Sequence, residues 1–172
     1  LWMAGEYIRR DSVQRVAERC APYVIAAGLM NAKQLADRRA WFEAVVTHEK
    51  ERIRTYSELP ARIAYLFVAD EDLVYSEDAE KNARKHAGRC ATLEAFENWL
   101  KSALDQGSST QQLRDGAKQF QTEHKLKTPE LLQPLRCALS GHASGPDTFE
   151  VIGWLGRERS LRRLELARQR LA

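Results

Sequence analysis

Ser109-Thr110-Gln111-Gln112-Leu113-Arg114-Asp115-Gly116-Ala117-Lys118-Gln119-Phe120 holds a helix start and a helical stripe in one short stretch. Ser109 stands three residues before Gln112, the spacing of a capping box, in which each side chain accepts the other residue's backbone N–H. Leu113, Ala117 and Phe120 then recur at four and three residues, which puts them on one face of a helix. The preceding Gly107-Ser108-Ser109 reads as a loop. The same grammar of cap, apolar stripe and breaker repeats in both directions along the chain.

Toward the N-terminus, Thr92 opens a helix with Leu93, Phe96, Leu100 and Ala103 on one side, and Asp78 opens another. Ser57-Glu58-Leu59-Pro60 is a further start, with Ile63, Leu66 and Phe67 on its apolar face, until Asp70-Glu71-Asp72 ends it. Asn31 begins a longer helical stretch through about Arg54, with Leu35, Trp41, Phe42, Val45 and Val46 as core candidates. Before it, Val13, Val16, Ala17, Cys20, Val24 and Ala27 fall at helical spacing after Asp11 and Ser12. Pro22 should interrupt that run, which predicts two short helices ending at Gly28. Toward the C-terminus, Thr128-Pro129-Glu130 caps a short turn and Pro134 suits the first position of the next helix, through Leu139. Gly141 to Pro146 is a turn. Asp147 then caps a segment in which Phe149, Ile152 and Leu155 pack inward until Gly156, and a basic terminal helix carries Leu161, Leu164 and Leu171. No stretch alternates apolar and polar residues over more than a few positions, so the predicted fold is all-α. No internal repeat or low-complexity segment is present.

Composition sets the class. The 172 residues are 44% hydrophobic and 30% charged, the balance of a soluble globular chain. The longest apolar run, Tyr23 to Leu29, falls far short of the roughly 18 residues that cross a bilayer. No signal or transit segment is visible, and a start at Leu1, with Met3 in what reads as mid-domain sequence, gives the expectation of an excised fragment. Cys20, Cys90 and Cys137 are odd in number and unpaired in spacing, as expected of a reducing compartment and hence the cytoplasm. The net charge of +3 is unevenly spread. Residues 1–54 carry ten Lys/Arg against seven Asp/Glu, residues 55–124 eight against twelve, and residues 125–172 nine against five. Two basic ends around an acidic middle suit a surface that binds a polyanion in part.

Nothing in the chain has the form of a catalytic motif. There is no glycine-rich phosphate loop and no Gly-x-Ser-x-Gly elbow. His86 and Cys90 have the spacing of half a zinc site, but no second pair accompanies them, which favours a partly buried pair and no metal. Ser140-Gly141-His142 lacks a placed acidic partner and reads better as a small-residue turn between helices. Trp2, Trp41, Trp99 and Trp154 are able to stack on bases, though their wide spacing favours packing between helices. Arg162, Arg163, Arg168 and Arg170 either track phosphates or form the solvated face of the last helix.

Longer patterns reach further. Leu1-Trp2-Met3-Ala4-Gly5-Glu6-Tyr7-Ile8-Arg9, then Arg52-Ile53-Arg54-Thr55-Tyr56-Ser57-Glu58-Leu59, then Gln133-Pro134-Leu135-Arg136-Cys137-Ala138-Leu139-Ser140-Gly141 occur in that order. The last is followed by Gly145-Pro146, Phe149-Glu150 and Leu155-Gly156-Arg157-Glu158-Arg159. Together they resemble the "Leu-x-Trp-x-Asn-Gly-x-Tyr-Ile-Arg", "Arg-x-x-Thr-Leu-x-Glu-Leu", "Gln-Pro-Leu-Arg-x-Ala-Leu-Thr-Gly", "Pro-x-Leu-Phe-Glu" and "Leu-Gly-Lys-Glu-Arg" words of bacterial-type glutamyl-tRNA synthetases. The likeness spans essentially the whole chain.

That resemblance implies the anticodon-binding end of a class I aminoacyl-tRNA synthetase that joins glutamate to its tRNA with ATP. It implies a two-subdomain helical cage, with residues 1–10 ending the stem-contact region, 11–76 forming the first helical subdomain and 77–172 the second. The family's ATP-site signatures have no counterpart here, so ATP and Mg belong to a parent catalytic domain and the segment itself holds no cofactor and no ligase chemistry. Its implied partners are the anticodon loop of a glutamate tRNA and that catalytic domain, as a monomer without membrane contact. Position by position, Arg52 matches the arginine that reads the third anticodon base and Arg136 the arginine that reads the first. Pro146 and Thr148 match the turn that touches the anticodon bases. Thr148 stands where the family has leucine, and Ala4 where it has asparagine. The competing readings are a helical scaffold that binds proteins through apolar grooves, and a synthetase copy that charges glutamine tRNA as well.

Overall fold

The computed structural model describes residues 2–86 and 90–171, with side chains described for all of these except 2–4, 86, 90–93 and 171. Among the described residues the chain forms eleven α-helices and no strand, so the all-α expectation holds. It divides into two compact units, residues 1–67 and 68–172. The division falls before Val68, whereas the sequence reading drew it after residue 76.

The first unit contains α1 (Trp2–Arg10), α2 (Val13–Ala26), α3 (Ala32–Asp37), α4 (Arg39–Glu49) and α5 (Leu59–Ile63). Short 3-10 turns occupy Tyr56–Glu58 and Ala64–Leu66. Ser12 caps α2 by accepting the Arg15 N–H at 3.3 Å. Contrary to the sequence expectation, Pro22 does not split this helix. An interior proline costs about 3 kcal/mol, and α2 gains at least as much from burial. Val16 and Val24 are fully buried, with Ala17 and Cys20 beside them, and a buried valine contributes about 1.5 kcal/mol or more. Pro22 and Glu18, whose carbonyl the proline leaves unbonded, both sit on the exposed side, where water replaces the lost bond. Gly28, at φ +70°, closes the helix. Its N–H donates to the Ile25 carbonyl and that of Leu29 to the Val24 carbonyl, the double bond of a Schellman end.

The single helix expected from Asn31 to Arg54 is broken twice. Asn31 and Gln34 form a reciprocal capping box at the start of α3. That helix buries no residue and stops at Arg38 (φ −115°, ψ 28°), where the Arg38 guanidinium lies over the Trp41 ring, 4.1 Å from its centroid. Then α4 starts afresh and buries Phe42, Val45, Val46 and Glu49. It ends at Glu49 so that Ile53, fully buried, can turn back into the core. Trp41 meets Phe67 edge-on with centroids 6.0 Å apart, a packing role for that tryptophan.

The second unit contains α6 (Glu77–His86), α7 (Cys90–Asp105), α8 (Thr110–Glu123), α9 (Thr128–Ser140), α10 (Thr148–Leu155) and α11 (Arg157–Leu171). Helices α6, α10 and α11 all pack against α9, whose Leu131, Leu135, Cys137, Ala138 and Leu139 are buried. Ala79 and Ala83 of α6 pack on Cys137. Their small side chains let the two helices approach closely. Ser76, not Asp78, caps α6, accepting the Ala79 N–H at 3.2 Å. The Thr92 side chain lies outside those described; α7 already begins at Cys90.

The capping box at Ser109 and Gln112 is present, at 2.8 and 3.3 Å, and Leu113, Ala117 and Phe120 are the buried stripe of α8. Phe96 and Trp99 of α7 pack on Phe120 with centroids 5.1 and 6.5 Å away. Gly116 lets that contact form, since a Cβ there would collide with the Trp99 ring. Pro134 lies inside α9 and not at its start, because the helix begins six residues earlier at Thr128. Its missing donor removes one bond, to Glu130 in the first turn, and its ring is buried. A short 3-10 turn, Asp70–Asp72, is tied into this unit by Arg163, which is fully buried. Arg163 donates to an Asp70 carboxylate oxygen at 2.7 Å and to the Leu139 carbonyl at 2.5 Å. These bonds place residues 68–76 with the second unit.

Candidate nucleic-acid interface

Arg52 sits on the turn between Glu49 and Thr55, and that turn is held from several sides. Glu49 is buried and pairs with Arg62 at 2.5 Å. The Glu49 carbonyl accepts the Arg52 N–H at 2.8 Å, and Lys50 donates across to the Asp11 carbonyl at 3.0 Å. Ile53 plugs into the core and the Arg54 N–H donates to Glu58 at 3.0 Å. The Arg52 side chain is exposed, with no hydrogen bond or ion pair among the described residues. A braced turn therefore carries an exposed guanidinium, so the backbone at least need not be ordered when it meets a ligand.

Arg136, Pro146 and Thr148 come together in the second unit. They line one cavity with Leu139, Ser140, Gly145 and Val151, of about 10 Å³, the room of about one water. Arg136 is half-buried on α9; Pro146 and Thr148 are buried. The Thr148 hydroxyl is a buried polar atom with no hydrogen-bond partner among the described residues. Two devices fix this corner. Ser140 donates its hydroxyl to the Arg136 carbonyl at 2.9 Å, and Gly141, at φ +73°, ends α9. A Cβ on Gly141 would collide with the Val74 carbonyl oxygen, so glycine is required there. Asp147 caps α10 as expected, accepting the Phe149 and Glu150 N–H groups at 2.9 and 3.3 Å. Arg114 of α8 clamps the cap from outside, 3.1 Å from Asp147 and 3.0 Å from Glu150. No pattern in the linear sequence signals that role, because the partners are 33 and 36 residues away.

Other sequence candidates are spent on structure. Of the basic set on α11, Arg163 is the buried tie to Asp70, Arg162 pairs with Glu71 and Glu165, and Arg168 with Glu94. Arg170 reaches Glu80 and lies over the Tyr75 ring. They neutralise the chain's own acids. Ser140 is buried, and Trp99 and Trp154 pack internally. The Trp2, His86 and Cys90 side chains lie outside those described. Among the described residues no three His, Cys, Asp or Glu side chains are grouped to hold a metal, and no helix is long and apolar enough to cross a membrane. Burial pushes the Cys20 thiol up to about 12 and the Cys137 thiol to about 11, so both are packing groups and poor nucleophiles.

The sequence profile of the family described as "Anticodon binding domain" matches residues 15–168. The chain belongs to the anticodon-binding domain family. Relatives of this anticodon-binding domain include the "Glutamate--tRNA ligase" of Symbiobacterium thermophilum, 34% identical over 163 residues, 95% of this chain and 33% of that protein. A protein of the same name from Thermus thermophilus is 36% identical over 171 residues, 96% of this chain and 33% of the relative. The domain spans about a third of the length of these curated relatives. Among solved structures, a glutamate tRNA ligase from Elizabethkingia meningosepticum in complex with its amino acid superposes with a TM-score of 0.78 at 17% identity. The match covers 99% of this chain and 32% of that one. The glutamate-tRNA synthetase of Elizabethkingia anophelis gives the same TM-score at 18% identity. The shared architecture is the helical fold of the anticodon-binding domain.

Proposed function

We propose that this chain is the anticodon-reading part of a glutamate–tRNA ligase, with Arg52 reading the third anticodon base and Arg136, beside Pro146 and Thr148, the first. The observation that supports it most is the meeting of Arg136, Pro146 and Thr148 at one cavity, although nine and eleven residues separate Arg136 from the other two. Bases of a tRNA loop are unstacked and expose their Watson–Crick edges. A planar guanidinium donates two parallel hydrogen bonds, and cytosine offers two acceptors, O2 and N3, on that edge. The ligase step, with its ATP and Mg, belongs to the remainder of such an enzyme; what this chain supplies is recognition of a glutamate tRNA.

Titration of a labelled anticodon stem-loop with the chain, at low and at moderate salt, tests this. Binding is expected to weaken as salt rises, because contacts to phosphates release counterions. An affinity indifferent to both salt and anticodon sequence would instead favour a helical scaffold for protein partners.

A further inference from the structure

Most arginines of the first unit are already engaged. Arg9 and Arg10 lie against Glu6, Arg15 against Asp11, Arg39 against Glu43 and Arg62 against Glu49. Arg19 reaches the Tyr56 hydroxyl, and Arg38 covers the Trp41 ring. Arg52 and Arg54 are different. Both are exposed, and neither guanidinium has a hydrogen bond, ion pair or ring contact among the described residues.

The turn that carries them is built so that this pair stays free. Ile53 between them is fully buried, which leaves both flanking side chains on the solvent side. The neighbouring carboxylate, Glu58, is occupied by the backbone and a hydroxyl. One oxygen accepts the Arg54 N–H at 3.0 Å and the other the Thr55 hydroxyl at 3.2 Å. Helix α1 passes close behind, where a Cβ on Gly5 would lie 3.8 Å from the Arg54 Cα. Two residues of chain separate the Cα atoms of Arg52 and Arg54 by no more than about 7 Å. Two exposed cations on one short turn raise the local positive potential, which favours an anion there.

We propose that Arg54 is a phosphate-binding residue that docks the RNA backbone next to the base met by Arg52. The proposal rests on the anticodon reading above and adds a residue to it with a different task. A guanidinium fork matches two phosphate oxygens, so Arg54 contributes affinity and register without sequence information. Arg52 contributes selectivity. The separation of tasks makes them distinguishable.

The test uses the 172-residue chain and two labelled anticodon stem-loops that differ only in the third anticodon base, cytosine or guanine. Each is titrated across a salt series with the wild-type chain, Arg54→Gln and Arg54→Lys. Arg54→Gln is expected to weaken both loops by the same factor, roughly fivefold at 0.1 M salt, and to reduce the slope of log affinity against log salt by about 0.7, the contribution of one phosphate on single-stranded nucleic acid. The preference between the loops should stay as in wild type, and Arg54→Lys should keep most of the slope. An unchanged slope in Arg54→Gln overturns the phosphate contact while leaving the anticodon reading intact. A changed preference overturns it too, by making Arg54 a base reader. Wild-type chain that shows no salt-dependent binding overturns both.

Discussion

Arg52 and Arg136 bear the same charge but stand in different surroundings, and that decides what each is able to do. Arg52 is exposed on a braced turn, whereas Arg136 is half-buried beside two buried residues at a cavity wall. Replacing Arg136 by alanine removes the donor and enlarges the cavity. Arg136→Ala is expected to weaken binding of a stem-loop with cytosine at the first anticodon position by about 1–3 kcal/mol, the usual worth of a bidentate contact to a base. A loop with uracil there should lose less. Titrating both loops decides it; equal losses would mean that Arg136 meets the backbone and not the base. Both arginines were visible in the sequence only through the words around them. Residue type alone did not separate them from Arg163, which lies in an equally basic stretch and is fully buried. What ties Arg163 into the core is its acid partner, and Asp70 is 93 residues away in the chain.

At the scale of elements, caps and stripes were legible where they are local. The Ser109 box, the Asp147 cap and the Leu113–Phe120 stripe stand as read. Pro22 does not break α2 and Pro134 does not start a helix, because the cost of a proline is local and the burial that offsets it is not. The break at Arg38 carries no local signal: α3 reads as helical by pattern but buries no residue. The tie between Asp70–Asp72 and α11 makes a pH prediction. Burial alone would raise the Asp70 carboxyl, but hydrogen bonds from Arg163 and Arg159 outweigh it and hold it below the usual carboxylate range. A folded pKa below the unfolded one means that stability is present above the unfolded value, near 3.9 for aspartate, and is lost as pH falls through the folded value. Thermal melts of the wild-type chain should therefore fall as pH drops below about 4. Asp70→Asn should be destabilised at neutral pH by about 3–5 kcal/mol, since it removes the carboxylate that faces the buried Arg163. It should also lose less on acidification than wild type does. Parallel losses in the two proteins would place the acid sensitivity in other carboxylates.

At the scale of the whole molecule, the basic ends seen in the sequence turn out to be chemically unlike. Near the C-terminus the described arginines of α11 mostly neutralise the chain's own acids. In the first unit, the Arg52 and Arg54 guanidiniums have neither an acid nor any other partner among the described residues. Net charge by segment therefore did not locate the free cations, since a count of charges does not register which are already matched. On the proposed reading, Arg52 supplies the discrimination at the third anticodon position. Cytosine offers it acceptors, whereas guanine presents N1–H and N2–H₂ toward the same place, so that donors face donors. Unsatisfied groups of that kind cost roughly 1–3 kcal/mol. The direct measurement is the ratio of affinities for two anticodon stem-loops, third base cytosine or guanine, in the wild-type chain and in Arg52→Gln, whose amide can present either an oxygen or a nitrogen. Wild type is expected to favour cytosine by about tenfold or more, and Arg52→Gln to bring the ratio close to one. A wild-type chain without preference, or a ratio that Arg52→Gln leaves unchanged, would contradict the account.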